Sequence, residues 1–90
     1  MSHIARNRRK LLGRIRRIGG QVAGLENAVA NETDCAKVLV QVAAVRGAVQ
    51  GLMVELLEDH LREHLAAPDD PEQRADEVTA VAGFLRSYFK

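Results

Sequence analysis

Apolar residues along this chain recur at intervals of three and four positions rather than two, which is the pattern of helices. The longest such run is the proline-free stretch from Cys35 to His64, where Leu39, Val42, Val45, Val49, Leu52 and Leu56 mark one stripe. It predicts one long helix over about residues 33–66. Ahead of it, Leu11, Ile15, Ile18, Val22, Leu25 and Val29 alternate spacings of four and three in a heptad-type seam, which predicts a helix over about residues 7–30. Asn31 to Asp34 breaks the two apart, with Asn31 or Thr33 as a cap for the next helix and Glu32 and Asp34 suited to its N-terminal dipole. After an Ala66-Ala67-Pro68-Asp69 linker, Asp70, Pro71 and Gln73 supply a cap, a proline at the first position and a glutamine at the third. A third helix then runs over about residues 71–88, with Val78, Val81, Leu85 and Tyr88 or Phe89 on its apolar face. Residues 1–6 read as a flexible arm, and no strand pattern, repeat or low-complexity tract interrupts this all-α reading of residues 1–90 as a single domain of three helices.

Ninety residues bury only a modest core, and three helices with 47% hydrophobic residues but only three aromatics carry more apolar face than one chain can cover. The mostly Ala, Val and Leu composition suits helix–helix seams, and Gly47 and Gly51, four apart, suit a close crossing. A homo-oligomer is therefore expected. A single cysteine excludes an internal disulfide and fits a reducing, cytoplasmic setting. No secretory signal is expected, because the basic N-terminus lacks an apolar segment behind it. Gln41, Arg46, Gln50 and Glu55 interrupt the long helix, so no membrane span is expected.

Charge changes the picture. The formal net charge of +1 conceals an uneven distribution: Arg6, Arg8, Arg9, Lys10, Arg14, Arg16 and Arg17 precede the first acid, Glu26. Such clustering is what phosphate binding requires, since each neutralised phosphate releases counterions. Arg46 lies midway along the second helix. A solvated charged face is the alternative, and neither a helix-turn-helix nor an aromatic RNA-binding signature is visible. No phosphate loop or nucleophile elbow supports an enzyme.

The candidate chemistry lies at the two ends of the long helix. His60 and His64 are spaced i, i+4 and so are neighbours on one face. Cys35 lies 25 residues before His60, which places it within about 20° of the same direction but roughly 37 Å away along the axis. One chain cannot bring the three onto one ligand; two copies packed antiparallel can, twice by symmetry. Thiolate and imidazole suit nickel, cobalt, zinc and copper. A solvated histidine pair among Glu58, Asp59 and Glu63, with a packed cysteine, fits the same spacing. His3 adds an imidazole in the arm.

QVAAVRGAVQGLM (41–53), RRIGGQVAGLE (16–26), the single Cys35, His60 with His64, and SYFK (87–90) together resemble the CsoR/RcnR/FrmR family of bacterial transcriptional repressors. The resemblance spans essentially the whole chain. It implies protomers paired antiparallel along their long helices, two pairs forming a tetramer, and operator double-stranded DNA bound without a helix-turn-helix. It suggests Arg14, Arg17 and Arg46 as DNA contacts, and Arg16 of the same basic run joins them as a candidate. The copper-sensing branch has Cys, His, Cys at the matching positions, whereas His64 stands third here. The nickel/cobalt branch has Cys, His, His with a histidine beside the N-terminus, and Cys35, His60, His64 and His3 match it position by position. The formaldehyde branch pairs the cysteine with an N-terminal proline, where this chain has Ser2.

The resemblance thus leads to a repressor that binds Ni(II) or Co(II) as effector, with Zn(II) or Cu(I) also admitted by the donor set, and releases its operator to derepress metal efflux. His3, and the terminal amine, would complete a six-coordinate shell that nickel and cobalt accept and copper(I) does not. Two alternatives share parts of this picture: a formaldehyde sensor using Cys35 and the terminal amine, and a helical metal- or partner-binding module without DNA binding.

Overall fold

The computed structural model describes residues 2–89; the terminal amine at Met1 and the last residue of SYFK lie outside them. It is 88% helical, with no strand among the described residues. The elements are α1 (His3–Arg6), α2 (Arg8–Ala30), α3 (Cys35–Leu61), a π-helical turn (Arg62–Ala66) and α4 (Pro71–Tyr88).

Local chemistry accounts for most boundaries. Within the segment expected as a flexible arm, residues 3–6 form one helical turn, because Ser2 acts as its cap and accepts from the Ala5 N–H at 3.2 Å. Asn7 alone separates α1 from α2. α2 ends in a Schellman closure: the Thr33 N–H donates to the Ala28 carbonyl and the Glu32 N–H to that of Val29. The closure requires a left-handed residue, and Glu32 fills that place at φ 54°. Asp34, not Asn31 or Thr33, occupies the cap of α3, and its side chain makes no capping hydrogen bond. Asp70 caps α4 as its sequence pattern predicts, accepting from the N–H groups of Glu72 and Gln73 with Pro71 next in line.

The helices form a single layer. The molecule measures 55 × 31 × 13 Å, so its thinnest dimension is about one helix diameter. Among the described residues only Leu11, Ala28 and His3 are buried. The exposed surface is 6904 Å², against about 5,200 Å² for a compact monomer of 9.9 kDa. The stripe expected to pack is open at half of its members, with Leu39 62%, Val42 44% and Val49 47% exposed. By length and composition the Cys35–Ala66 segment is apolar enough to cross a membrane, and its polar interruptions do not change that. A helix that buries against another copy of the chain passes the same test.

Candidate metal and operator sites

α3 and the turn that follows it carry two of the three clustered histidines, while the candidate operator arginines lie on α2, with Arg46 on α3. The C-terminal end of α3 carries His60, and the π turn that continues it carries His64. The sequence pattern predicts an uninterrupted α-helix there. Instead the Ala67 N–H reaches back to the Arg62 carbonyl, and the wider turn leaves the two imidazoles 4.4 Å apart between ring centroids. α1 folds back along α3 and delivers His3, whose ring centroid lies 6.0 Å from that of His60 and 6.4 Å from that of His64. One ligand nitrogen from each of the three lies within 4.8 Å of the others.

His3 is 7% exposed, and its Nδ1 is buried without a hydrogen-bond partner. A buried ring nitrogen left unpaired costs free energy unless something is bound to it. Metal–nitrogen bonds of about 2.0–2.1 Å would need these donors drawn together by about 1 Å, within the reach of side-chain rotation. The donor set therefore fits a borderline transition-metal ion.

Two carboxylates complete the cluster. Glu63, in the π turn, accepts from the His3 backbone N–H at 2.8 Å and lies 3.8 and 3.9 Å from Nε2 of His3 and His64. The His3 N–H holds the Glu63 carboxyl below its ordinary pKa, and the charges of Arg6, His3 and His64 act in the same direction. Glu77 comes from α4: its Oε2 lies 3.2 Å from His60 Nε2 and its Oε1 3.7 Å from His64 Nδ1. Beside the cluster, a groove of about 630 Å³ between α3 and α4 is lined by Val49, Leu52, Met53, Leu56, Val81 and Phe84. The sequence reading missed Glu77, because no spacing within one helix relates it to His60.

Cys35 is exposed at the first position of α3, the full length of that helix away from the histidines. Within one chain the structure joins His3, His60 and His64 and leaves Cys35 apart.

The basic set also divides. Arg16, Arg17 and Arg46 are exposed. Arg14 is half-buried and paired through Nη1 with Glu55 of α3, whose other oxygen lies 3.0 Å from Lys10 Nζ. The Arg14 guanidinium crosses α3 over Gly51, where an added Cβ would come within 2.6 Å of Nη2. Glu55 is correspondingly held below its ordinary pKa, first by the Lys10 hydrogen bond and also by that of Arg14. The acid that balances the basic helix thus comes from α3, not from neighbouring sequence.

Residues 7–85 match the family described as Metal-sensitive transcriptional repressor. The chain belongs to that family. It is similar to the Transcriptional repressor RcnR of Citrobacter koseri, 42% identical over 90 residues and the whole of both chains. It is 53% identical over 91 residues, again the whole of both, to a protein of Serratia marcescens described only by its position in the bioA 5' region. Its fold matches a glutamate-to-histidine variant of the Formaldehyde-Responsive Regulator FrmR from Salmonella enterica serovar Typhimurium. The TM-score is 0.85 and the identity 42%, over 96% of this chain and 98% of that one. The family is one of transcriptional repressors and not of enzymes, so operator DNA, self-association and a metal effector come with it.

Proposed function

We propose that this protein is a cytoplasmic repressor that responds to nickel or cobalt and releases its operator to derepress metal efflux. The observation that carries this reading is the packing of His3, His60 and His64 against one another, with the Nδ1 of His3 buried and unpaired. Three imidazoles favour ions of the nickel, cobalt and zinc type over copper(I), which prefers thiolates and thioethers. The relatives called RcnR support the same assignment.

Cys35 of one copy joins the histidines of another, as antiparallel pairing along α3 would require, and two such pairs make a tetramer. The excess exposed surface and the open stripe on α3 support that pairing. Cys35, His60, His64 and His3 would hold the ion, which supplies positive charge and directed bonds. Glu77 orients His60 and His64 from behind, as carboxylates commonly do for metal-bound imidazoles. Arg14, Arg16, Arg17 and Arg46 face operator phosphates, with Arg14 set in place by Glu55. His3 belongs to the helical turn that leads directly into α2, so fixing His3 moves the start of the basic helix. A coupling of about 1–3 kcal/mol, or about 5–150-fold in affinity, suffices for release.

A second reading is favoured by the exposed Cys35 thiol and by the FrmR neighbour: a formaldehyde sensor using Cys35 and the terminal amine. One titration separates the two. Operator binding is measured against Ni(II), Co(II), Zn(II), Cu(I) and formaldehyde. Relief by Ni(II) or Co(II) at the lowest concentrations is the expected result, and relief by formaldehyde alone overturns it.

A further inference from the structure

α1 is four residues long, far too short to hold its shape or position in water by itself. Individual bonds to its neighbours therefore help to place it, and Asn7 supplies two of them to the His3 carbonyl. Its backbone N–H closes α1 on the His3 carbonyl at 3.0 Å, and its carbonyl opens α2 by accepting from the Leu11 N–H at 2.9 Å. Its side-chain amide also donates to the His3 carbonyl at 3.0 Å, and lies 3.5 Å from Asp59 Oδ2 on α3. Its φ of −103° and ψ of 14° make it the one non-helical residue between the two helices. Asp59 is the neighbour of His60.

Asn7 therefore meets α1, α2 and α3 at one point, between a cluster histidine on one side and the first basic residues of α2 on the other. The chemistry demands an amide. Both partners of the side chain are acceptors, and only an NH₂ group offers two hydrogens to them. A carboxylate of the same shape would meet the His3 carbonyl and the Asp59 carboxylate with no hydrogen to give.

We propose that Asn7 is a positioning residue that couples His3 to the basic start of α2 by pinning the α1–α2 joint to Asp59 of α3. This rests on the reading of the histidine cluster as the metal-sensing site. With the joint pinned, a displacement of His3 is passed to Arg8, Arg9 and Lys10 rather than absorbed by local bending.

The test compares wild type with N7D, N7A and the double variant N7D/D59N, all first checked for folding by thermal melts. In the double variant the new amide at 59 donates to the new carboxylate at 7, restoring one bond with the donor reversed. Two quantities are read: amide hydrogen exchange over residues 3–7 without metal, and the ratio of promoter-DNA affinities without and with Co(II). N7D is expected to exchange at least tenfold faster over residues 3–7, with α2 and α3 unchanged, and to lose at least tenfold of the Co(II) effect. N7A follows in the same direction, and N7D/D59N regains part of both. Wild-type exchange in N7D overturns the proposal, as does a wild-type Co(II) effect in a variant whose α1 exchanges faster. If Co(II) leaves DNA binding by the wild type unchanged, the metal reading fails; if the wild type responds and N7D responds equally, the role of Asn7 fails.

Discussion

The two ends of α3 carry the same kind of chemistry in opposite states of completion. At the C-terminal end, three imidazoles, two carboxylates and a buried unpaired nitrogen converge from α1, α3, the π turn and α4. At the N-terminal end, Cys35 stands exposed, close behind a cap residue that makes no side-chain bond. The length of α3 keeps one end from reaching the other. The contrast fits the proposed pairing, in which each chain supplies half of a site: a nitrogen-rich cluster at one end and an exposed thiol at the other. The rest of the molecule agrees, since it is a layer one helix thick in which, among the described residues, only Leu11 and Ala28 are buried hydrophobic ones.

The sharpest way to break this comparison is to remove the isolated member. C35A leaves the histidine cluster untouched, yet on this account it lowers Co(II) affinity by more than the ~100-fold that loss of an outer partner can cost. Isothermal titration and the thiolate-to-cobalt absorption band read the effect; an unchanged affinity would make the histidine end complete by itself. Next comes the support from α4. E77A removes the carboxylate behind His60 and His64 and should weaken Co(II) binding by about 10–100-fold while leaving the thiolate band in place at saturation.

A smaller effect concerns acid. The Glu63 carboxyl is held below its ordinary value of 4.5, chiefly by the His3 N–H. Its contribution to stability is thus fully present above the unfolded value and is lost as pH falls through the lowered folded value. Melting temperatures measured from neutral pH down into that acid range should fall less steeply for E63Q than for wild type, and identical slopes would remove Glu63 from the link between α1 and α3. The smallest effect lies near the cysteine end. Glu32 sits in the left-handed conformation at φ 54° that glycine accepts without penalty, so E32G should stabilise the protein by about 1 kcal/mol in chemical denaturation. Metal affinity should not change with it.

Much of this could be read from the chain alone, for identifiable reasons. Helical class follows from apolar spacing, and the start of α4 from Asp70 and Pro71, because both are local. The separation of Cys35 from His60 follows from helix geometry. What escaped was set by contacts between elements. Glu77 reaches the histidines only because α4 folds back from the π turn, and Glu55 pairs with Lys10 and Arg14 only because α2 lies along α3. The turn at His3 escaped because four residues carry no periodicity, and the π turn because its sequence reads as ordinary helix. The end of α2 at Ala30 was legible from the break at Asn31 to Asp34, but the left-handed turn at Glu32 that closes it was not, because no glycine marks it.

The central claim, that one site is assembled from the two ends of α3 in different copies, is tested most directly by mixing two defective chains. C35A keeps the histidines and H60A/H64A keeps the cysteine, and neither can build a whole site with its own kind. Refolded together in equal amounts, about half of the pairs are mixed and each mixed pair holds one intact site of two. The thiolate-to-cobalt band should then return to about a quarter of its wild-type intensity, having been absent from either variant alone. A mixture of folded variants that shows no band, or a C35A protein that already shows the wild-type spectrum, would contradict the account.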